Sequence, residues 1–246
     1  MNFYKLNPDK LIRKYKLEDE IQNIWFNENN INYKYLEPLY SKNNQRNNQR
    51  FFFNKILTII NSINSEKTDE FFIDNDILIK PSFLKKIKSS YFYFFTCNDT
   101  YDWNQKLLQE YQKKKISKKA LNFFLKYINN INIRISASII DLKLLSVIKN
   151  EFYFLKKELN LTDEDFISYS WIDELILSKI YFKQKKNRAN LALFQLKLNE
   201  WKNDIYIIHF QNPFKQFLLL NKKNLKNKKL LKICFDLEKY YKGFKK

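Results

Sequence analysis

The sequence predicts a mostly α protein, a single helix-rich unit over residues 1–246 with two or three short β-strands. Three observations predict it. Apolar residues recur at helical spacing along most of the chain, as in Phe52, Ile56, Ile59, Ile60 and Ile63. Helix-start chemistry precedes such segments, most clearly Thr162 followed by Asp163, Glu164 and Asp165. Strand-type patterns are few, and the longest is the alternation of Ile131, Ile133, Ile135, Ala137 and Ile139 with polar residues. An apolar fraction of 45%, with 17% aromatic residues, supplies a large core and argues against a disordered chain.

Taken in order, Asn7-Pro8 pairs a cap with proline at the first helical position and opens a helix to about Trp25. Residues 27–47 are polar and read as a loop, or as an arm that orders on a partner. The spacing predicts a helix over Phe51–Ile63. Residues 65–80 are acidic and turn-like, with a short strand at Ile77–Lys80. Ser82 caps a helix through Ser89, and Tyr91–Thr96 carries the residue types of a buried strand. Asp102–Ile116 and Ser117–Asn130 read as two basic helices, with a domain break near residues 98–102 before them. Ile131–Ile139 is a strand, Asp141 caps a helix at Leu142–Leu159, and Thr162 opens another to about Phe182. Helices follow at Asn187–Trp201 and from Pro213 into a tail ending at Gly243, with a strand at Ile205–Phe210 between them.

Lysine occupies 40 positions and asparagine 31, against five arginines, four alanines and one glycine. Lys, Asn, Ile, Phe and Tyr can be written in A and T alone, so part of the basicity reflects an AT-rich gene. Asn is the next-best residue in left-handed backbone and takes the place of glycine at turns and helix ends. The net charge of +19 is unevenly spread. Residues 51–100 and 151–200 are neutral, whereas 101–150 hold ten basic residues against three acidic, and 201–246 twelve against three. Codon drift alone would load lysine everywhere, so this placement points to a polyanionic partner.

Several function classes lose their footing. His209 is the only histidine, too few for a multi-histidine metal centre or a Ser-His-Asp site. The one glycine, Gly243, excludes glycine-rich phosphate and dinucleotide loops, and no cofactor is implied. Cys97 and Cys234 read as two buried thiols, with a single disulfide as the other option. Asp141-Leu142-Lys143 at a strand end matches half of a Mg²⁺ nuclease site, with Asp102 the nearest upstream acid of promise, but a helix-capping Asp141 explains it more simply. Asp74/Asp76 and Asp163/Asp165 could hold a metal, and turn and helix-start roles account for both pairs. The longest apolar run, Tyr91–Cys97, is too short to span a membrane, so no transmembrane segment is expected. The first residues resemble neither a secretory signal nor an Arg-rich presequence, so use in the compartment of synthesis is expected.

Two lysine clusters are the candidate site. The first is Lys113, Lys114, Lys115, Lys118 and Lys119, continuing to Lys126, with Phe123 and Phe124 behind it; the second is Lys222, Lys223, Lys226, Lys228, Lys229 and Lys232. Lysines on adjacent turns repel unless an anion lies over them, and a nucleic-acid backbone is the natural partner because each phosphate contact releases counterions. Scarce arginine disfavours base readout and favours backbone and shape binding. Arg46 and Arg50 in the Asn/Gln-rich segment are placed to enter between RNA strands. Anionic lipid is the other polyanion that amphipathic Lys–Phe helices could meet.

Asn43-Asn44-Gln45-Arg46-Asn47-Asn48, Phe51-Phe52-Phe53-Asn54-Lys55 and Lys222-Lys223-Asn224-Leu225-Lys226-Asn227-Lys228-Lys229 carry a further resemblance. In composition the chain resembles proteins encoded in AT-rich mitochondrial genomes of protists, and a chain of such charge is most similar to their ribosomal set. The resemblance implies a non-enzymatic, rRNA-binding structural subunit of a mitochondrial ribosome, among neighbouring protein subunits in the matrix. AT-rich bacteria and plasmids share the texture, which would place the chain in a bacterial cytoplasm. Ribosomal proteins usually carry more Gly and Arg, so a divergent or lineage-specific subunit fits better. The rival classes are an accessory subunit of a respiratory membrane complex and a plasmid- or phage-type Mg²⁺-dependent nuclease or replication protein.

Overall fold

A computed structural model describes residues 1–7, 13–39, 55–67, 69–79, 93–96, 101–169, 171–183 and 207–209. Their elements in chain order are β1 (Asn2–Leu6), α1 (Arg13–Glu28), β2 (Asn32–Leu36), α2 (Lys55–Ser62), β3 (Glu70–Ile73), β4 (Ile77–Ile79) and β5 (Tyr93–Thr96). There follow α3 (Trp103–Gln112), α4 (Lys118–Tyr127), β6 (Ile135–Asp141), a 3₁₀ turn at Leu142–Leu144, α5 (Leu145–Leu159), α6 (Asp163–Ser168), α7 (Ile172–Lys183) and β7 (Ile207–His209).

This is a mixed α/β fold, not the mostly helical one that the sequence predicts. Five strands form one mixed sheet in the order β2-β1-β3-β6-β5, and β4 and β7 pair separately. β1 lies between β2 and β3 and is parallel to both; β6 runs antiparallel to β3 and to β5. The chain thus leaves β1 through α1 to one side and returns past it through α2 to the other. The two crossovers consequently cover opposite faces. Phe3 and Lys5 point to the α1 face, where Phe3 meets Phe26 at 6.0 Å between ring centroids. Leu6, Leu36, Phe72 and Ile140 point the other way, into the main core with Ile56, Ile59 and Ile60 of α2, Ile148 and Phe152 of α5, and Ile176 and Ile180 of α7.

The unexpected strands are β1, β2 and β3. Each is short; β1 and β3 are covered on both faces and carry no clean alternation, and β2 is an edge strand with Asn32, Lys34 and Tyr35 exposed. In β1 a lysine occupies an inward position, which hides the pattern; β2 lies within the polar stretch read as a loop, and β3 within the acidic one. The strands expected around 77–80, 91–96 and 205–210 appear as β4, β5 and β7. The expected strand at 131–139 is displaced to 135–141, because the Ile131 N–H closes the turn after α4 on the Ile128 carbonyl at 2.8 Å. β5 and β6 lie on either side of residues 98–102 in sequence and share one sheet.

Helix ends follow the cap chemistry. Thr162 and Asp165 form a reciprocal capping box, although the expected helix at 162–182 divides into α6 and α7. Asn30, Asn130 and Asn160 take left-handed backbone after α1, α4 and α5, with φ of 54°, 66° and 52°, the role glycine usually fills. α7 is stitched to β6 by Ser178, which accepts from the Ile135 N–H at 3.1 Å and donates to the Glu174 carbonyl at 2.6 Å. No described helix is long and apolar enough to cross a membrane. The expected helices at 82–89, 187–201 and beyond Pro213 lie outside the described residues, as do Arg46, Arg50, Cys97, Cys234 and the lysine cluster at 222–232.

Candidate nucleic-acid interface

α3 and α4 pack on each other as a helical hairpin whose connection holds the first lysine cluster. Trp103, Leu107 and Glu110 are the buried stripe of α3, and Ala120, Leu121, Phe124 and Tyr127 that of α4, both at helical spacing. Asp102 caps α3 by accepting from the Gln105 N–H at 2.9 Å, and Ser117 caps α4 by accepting from Ala120 at 3.1 Å. Between them Lys114 turns the chain in left-handed backbone at φ 56°, and buried Ile116 pins the connection to the core. With the apolar stripes fixed inward, Lys113, Lys114, Lys115, Lys118, Lys119 and Lys126 are all exposed.

Glu110 is the only acid between residues 103 and 130. It is 3% exposed, accepts from Lys106 Nζ at 2.7 Å, and lies 3.7 Å from Lys115. Burial alone would raise its carboxyl, but the Lys106 hydrogen bond and the charges of Lys106, Lys115 and Lys113 hold it below the ordinary carboxylate value. The one local acid is therefore spent inside the hairpin. Lys118 and Lys119 also occupy the first turn of α4, where the helix dipole already presents positive charge and lysine is disfavoured. An anion laid across the tip relieves both repulsions.

Lys126 connects this tip to a groove of about 560 Å³ between α4, α5 and α7. Its wall is aromatic: Phe123 and Tyr127 lie 6.1 Å apart at 18°, and Tyr127 and Phe154 6.3 Å apart at 23°. Lys179 Nζ sits 4.9 Å from the Tyr127 ring centroid and donates to the Tyr127 carbonyl, while Lys183 pairs with Glu151. Glu151 also accepts from the Tyr127 hydroxyl at 2.8 Å. Burial, then the carboxylate of Glu151, raises the Tyr127 phenol, so it stays a donor throughout the physiological range. Burial and neighbouring Lys183 lower the Lys179 ammonium from its ordinary value.

The sequence points to Lys126 and Phe123 but not to Phe154, Lys179 or Lys183. The signal for Phe154 is the run Phe152-Tyr153-Phe154. Three consecutive aromatics on a helix cannot all face one core, and Phe152 is buried while Tyr153 and Phe154 are 52% and 46% exposed.

The other candidate residues fall into structural roles. Asp141 caps the 3₁₀ turn by accepting from the Lys143 N–H at 2.9 Å; Lys143 is exposed, and Asp102 is committed to its own cap. Asp74 is held 2.7 Å from Lys55, Asp163 pairs with Lys156 at 2.7 Å, and Asp165 belongs to the capping box. His209 stands in β7 opposite Ile77. Among the described residues, no group of three or more His, Cys, Asp or Glu is placed to hold a metal ion. No family model matches the chain, and no curated protein matches it.

Proposed function

We propose that this chain is a non-enzymatic RNA-binding structural protein that neutralises backbone phosphates with the α3–α4 hairpin. One observation carries the reading: five exposed lysines, Lys113, Lys114, Lys115, Lys118 and Lys119, crowd around a tip, and the one acid of segment 103–130, Glu110, is buried and already bonded. Each lysine supplies charge with little directional demand, which suits a phosphate backbone and gives no base discrimination. The compositional resemblance extends the reading to a divergent subunit of a mitochondrial ribosome, working in the matrix among protein neighbours. The neutral segments 51–100 and 151–200 provide β3, β4, β5, α2, α6 and α7, and their balanced charge is compatible with protein neighbours.

The test is the salt dependence of RNA affinity. Replacing Lys113, Lys114, Lys115, Lys118 and Lys119 by Gln lowers the slope of log Kobs against log salt by roughly 0.7–0.9 per lost phosphate contact. An unchanged slope would remove the hairpin from the interface. The assembly is tested separately by sedimenting the native protein at low and high salt. Co-migration with a ribosomal particle supports the reading, and co-migration with solubilised membrane complexes overturns it.

A further inference from the structure

We propose that the groove between α4, α5 and α7 is a nucleobase site, receiving an unstacked base of single-stranded RNA beside the lysine tip; this rests on the RNA-binding reading above. Phe123, Tyr127 and Phe154 present a shelf of aromatic rings, with Tyr127 within 23° of parallel to each of the others. Phe154 is left 46% exposed next to an exposed Tyr153, and a base stacking on an aromatic ring covers such apolar surface whatever its sequence. The groove volume of about 560 Å³ lies in the range of small-ligand sites and admits a nucleotide.

Charge selects the occupant. Lys126, Lys179 and Lys183 line the groove against the single carboxylate of Glu151, so its net charge is positive. Lys183 and the Tyr127 hydroxyl already engage Glu151, and Lys179 is anchored on the last turn of α4. Lys126 is exposed, and no acid pairs with it among the described residues, which leaves it for the phosphate of the inserted nucleotide. It sits on the same helix as Lys118 and Lys119, so one strand can run from the tip into the groove. An apolar protein segment would fill the shelf but leave this cationic rim without counter-charge; that fixes the choice.

The experiment uses the full chain and two probes: a single-stranded RNA of about 12 nucleotides carrying one 2-aminopurine, and a blunt RNA duplex of about 16 base pairs. Phe154→Ala weakens single-strand binding by about tenfold, abolishes 2-aminopurine quenching and leaves duplex binding and the salt slope unchanged. Phe154→Trp restores a stacking surface and with it the affinity and the quenching. Phe154 is exposed, so the unchanged duplex affinity also serves as the control for folding. Wild-type single-strand affinity in Phe154→Ala, with both probes weakened by the five-lysine variant, overturns the base site and leaves the hairpin reading standing. Failure of the wild-type chain to bind either probe overturns both readings and assigns the aromatic shelf to a protein partner.

Discussion

Lys5 Nζ lies 2.8 Å from Asp19 Oδ1, and neither side chain reaches solvent. The ammonium also donates to Gln22 at 3.2 Å and to Asn23, and it lies 4.2 Å from the Tyr33 ring centroid. Asp19 in turn accepts from the Tyr35 hydroxyl and from Asn75 Nδ2, each at 2.7 Å. One ion pair therefore ties β1, α1, β2 and the turn after β3 together, under the point where β1 is flanked by its two parallel neighbours.

Removing one partner of this pair strands the other charge in the interior. Asp19→Asn and Lys5→Met each destabilise by about 3–5 kcal/mol, while Lys5→Met combined with Asp19→Leu recovers most of the loss, because neither charge of the pair is then left buried without the other. Denaturant titration of the three variants checks this; additive losses in the double variant would show that the pair has no coupling. A pH dependence accompanies it. Burial outweighs the Asp19 charge and pushes the Lys5 ammonium down to about 8, from 10.5 in the unfolded chain. Between those values the unfolded chain binds more protons, so wild-type stability rises with pH from about 8 toward 10. Near pH 10 the phenols of half-buried Tyr33 and of Tyr35, raised above their ordinary value first by desolvation, begin to oppose it. Lys5→Met lacks the rise.

Asp141 supplies the second prediction. Its Oδ1 caps the 3₁₀ turn, but its Oδ2 is buried without a hydrogen-bond partner. Burial raises the carboxyl to about 6 against the lowering effect of the Lys143 backbone bond and charge, and Asp69 adds to the rise. From about pH 4 to 6 the folded chain holds the extra proton, so this group's contribution to stability falls as pH climbs. Asp141→Asn keeps the capping oxygen and removes the buried charge. It raises stability at pH 7 by about 1–2 kcal/mol and flattens the profile between pH 4 and 6. Thermal denaturation across that range decides it, and a destabilised variant at pH 7 would mean that the carboxylate charge has a partner that offsets its burial.

How far the fold can be read from the sequence depends on where polar residues were placed. The helices at 103–112, 118–127 and 145–159 follow from periodicity and caps because their stripes are apolar. β1 is hidden because Lys5 sits where an apolar residue would mark the buried face, with acceptors on α1, and β2 because Asn32, Lys34 and Tyr35 of this edge strand are exposed. The ammonium is satisfied only once α1 and β2 are docked, and no local pattern encodes that. The lysine tip was legible for the converse reason: Ile116, Ala120, Leu121 and Phe124 fix which face points inward, so the charges between them must point out. The groove combines α4, α5 and α7, and only its α4 side could be read from local spacing.

Lys114 gives the last prediction. It holds φ at 56° at the apex of the hairpin, a conformation costing a β-carbon-bearing L-residue about 1–2 kcal/mol and accepted far better by Asn. The chain places Asn at Asn30, Asn130 and Asn160, where the same backbone is needed without charge. At the tip it places lysine instead, so stability is given up where a cation is presented. Lys114→Asn therefore raises stability by about 0.5–1 kcal/mol and at the same time lowers the RNA salt slope by roughly 0.7–0.9. The two readouts move in opposite senses, toward a firmer fold and weaker binding. A variant that is firmer but binds RNA with the wild-type slope would take Lys114 out of the phosphate contacts. One that is no firmer would show that neighbouring contacts already relieve the left-handed backbone.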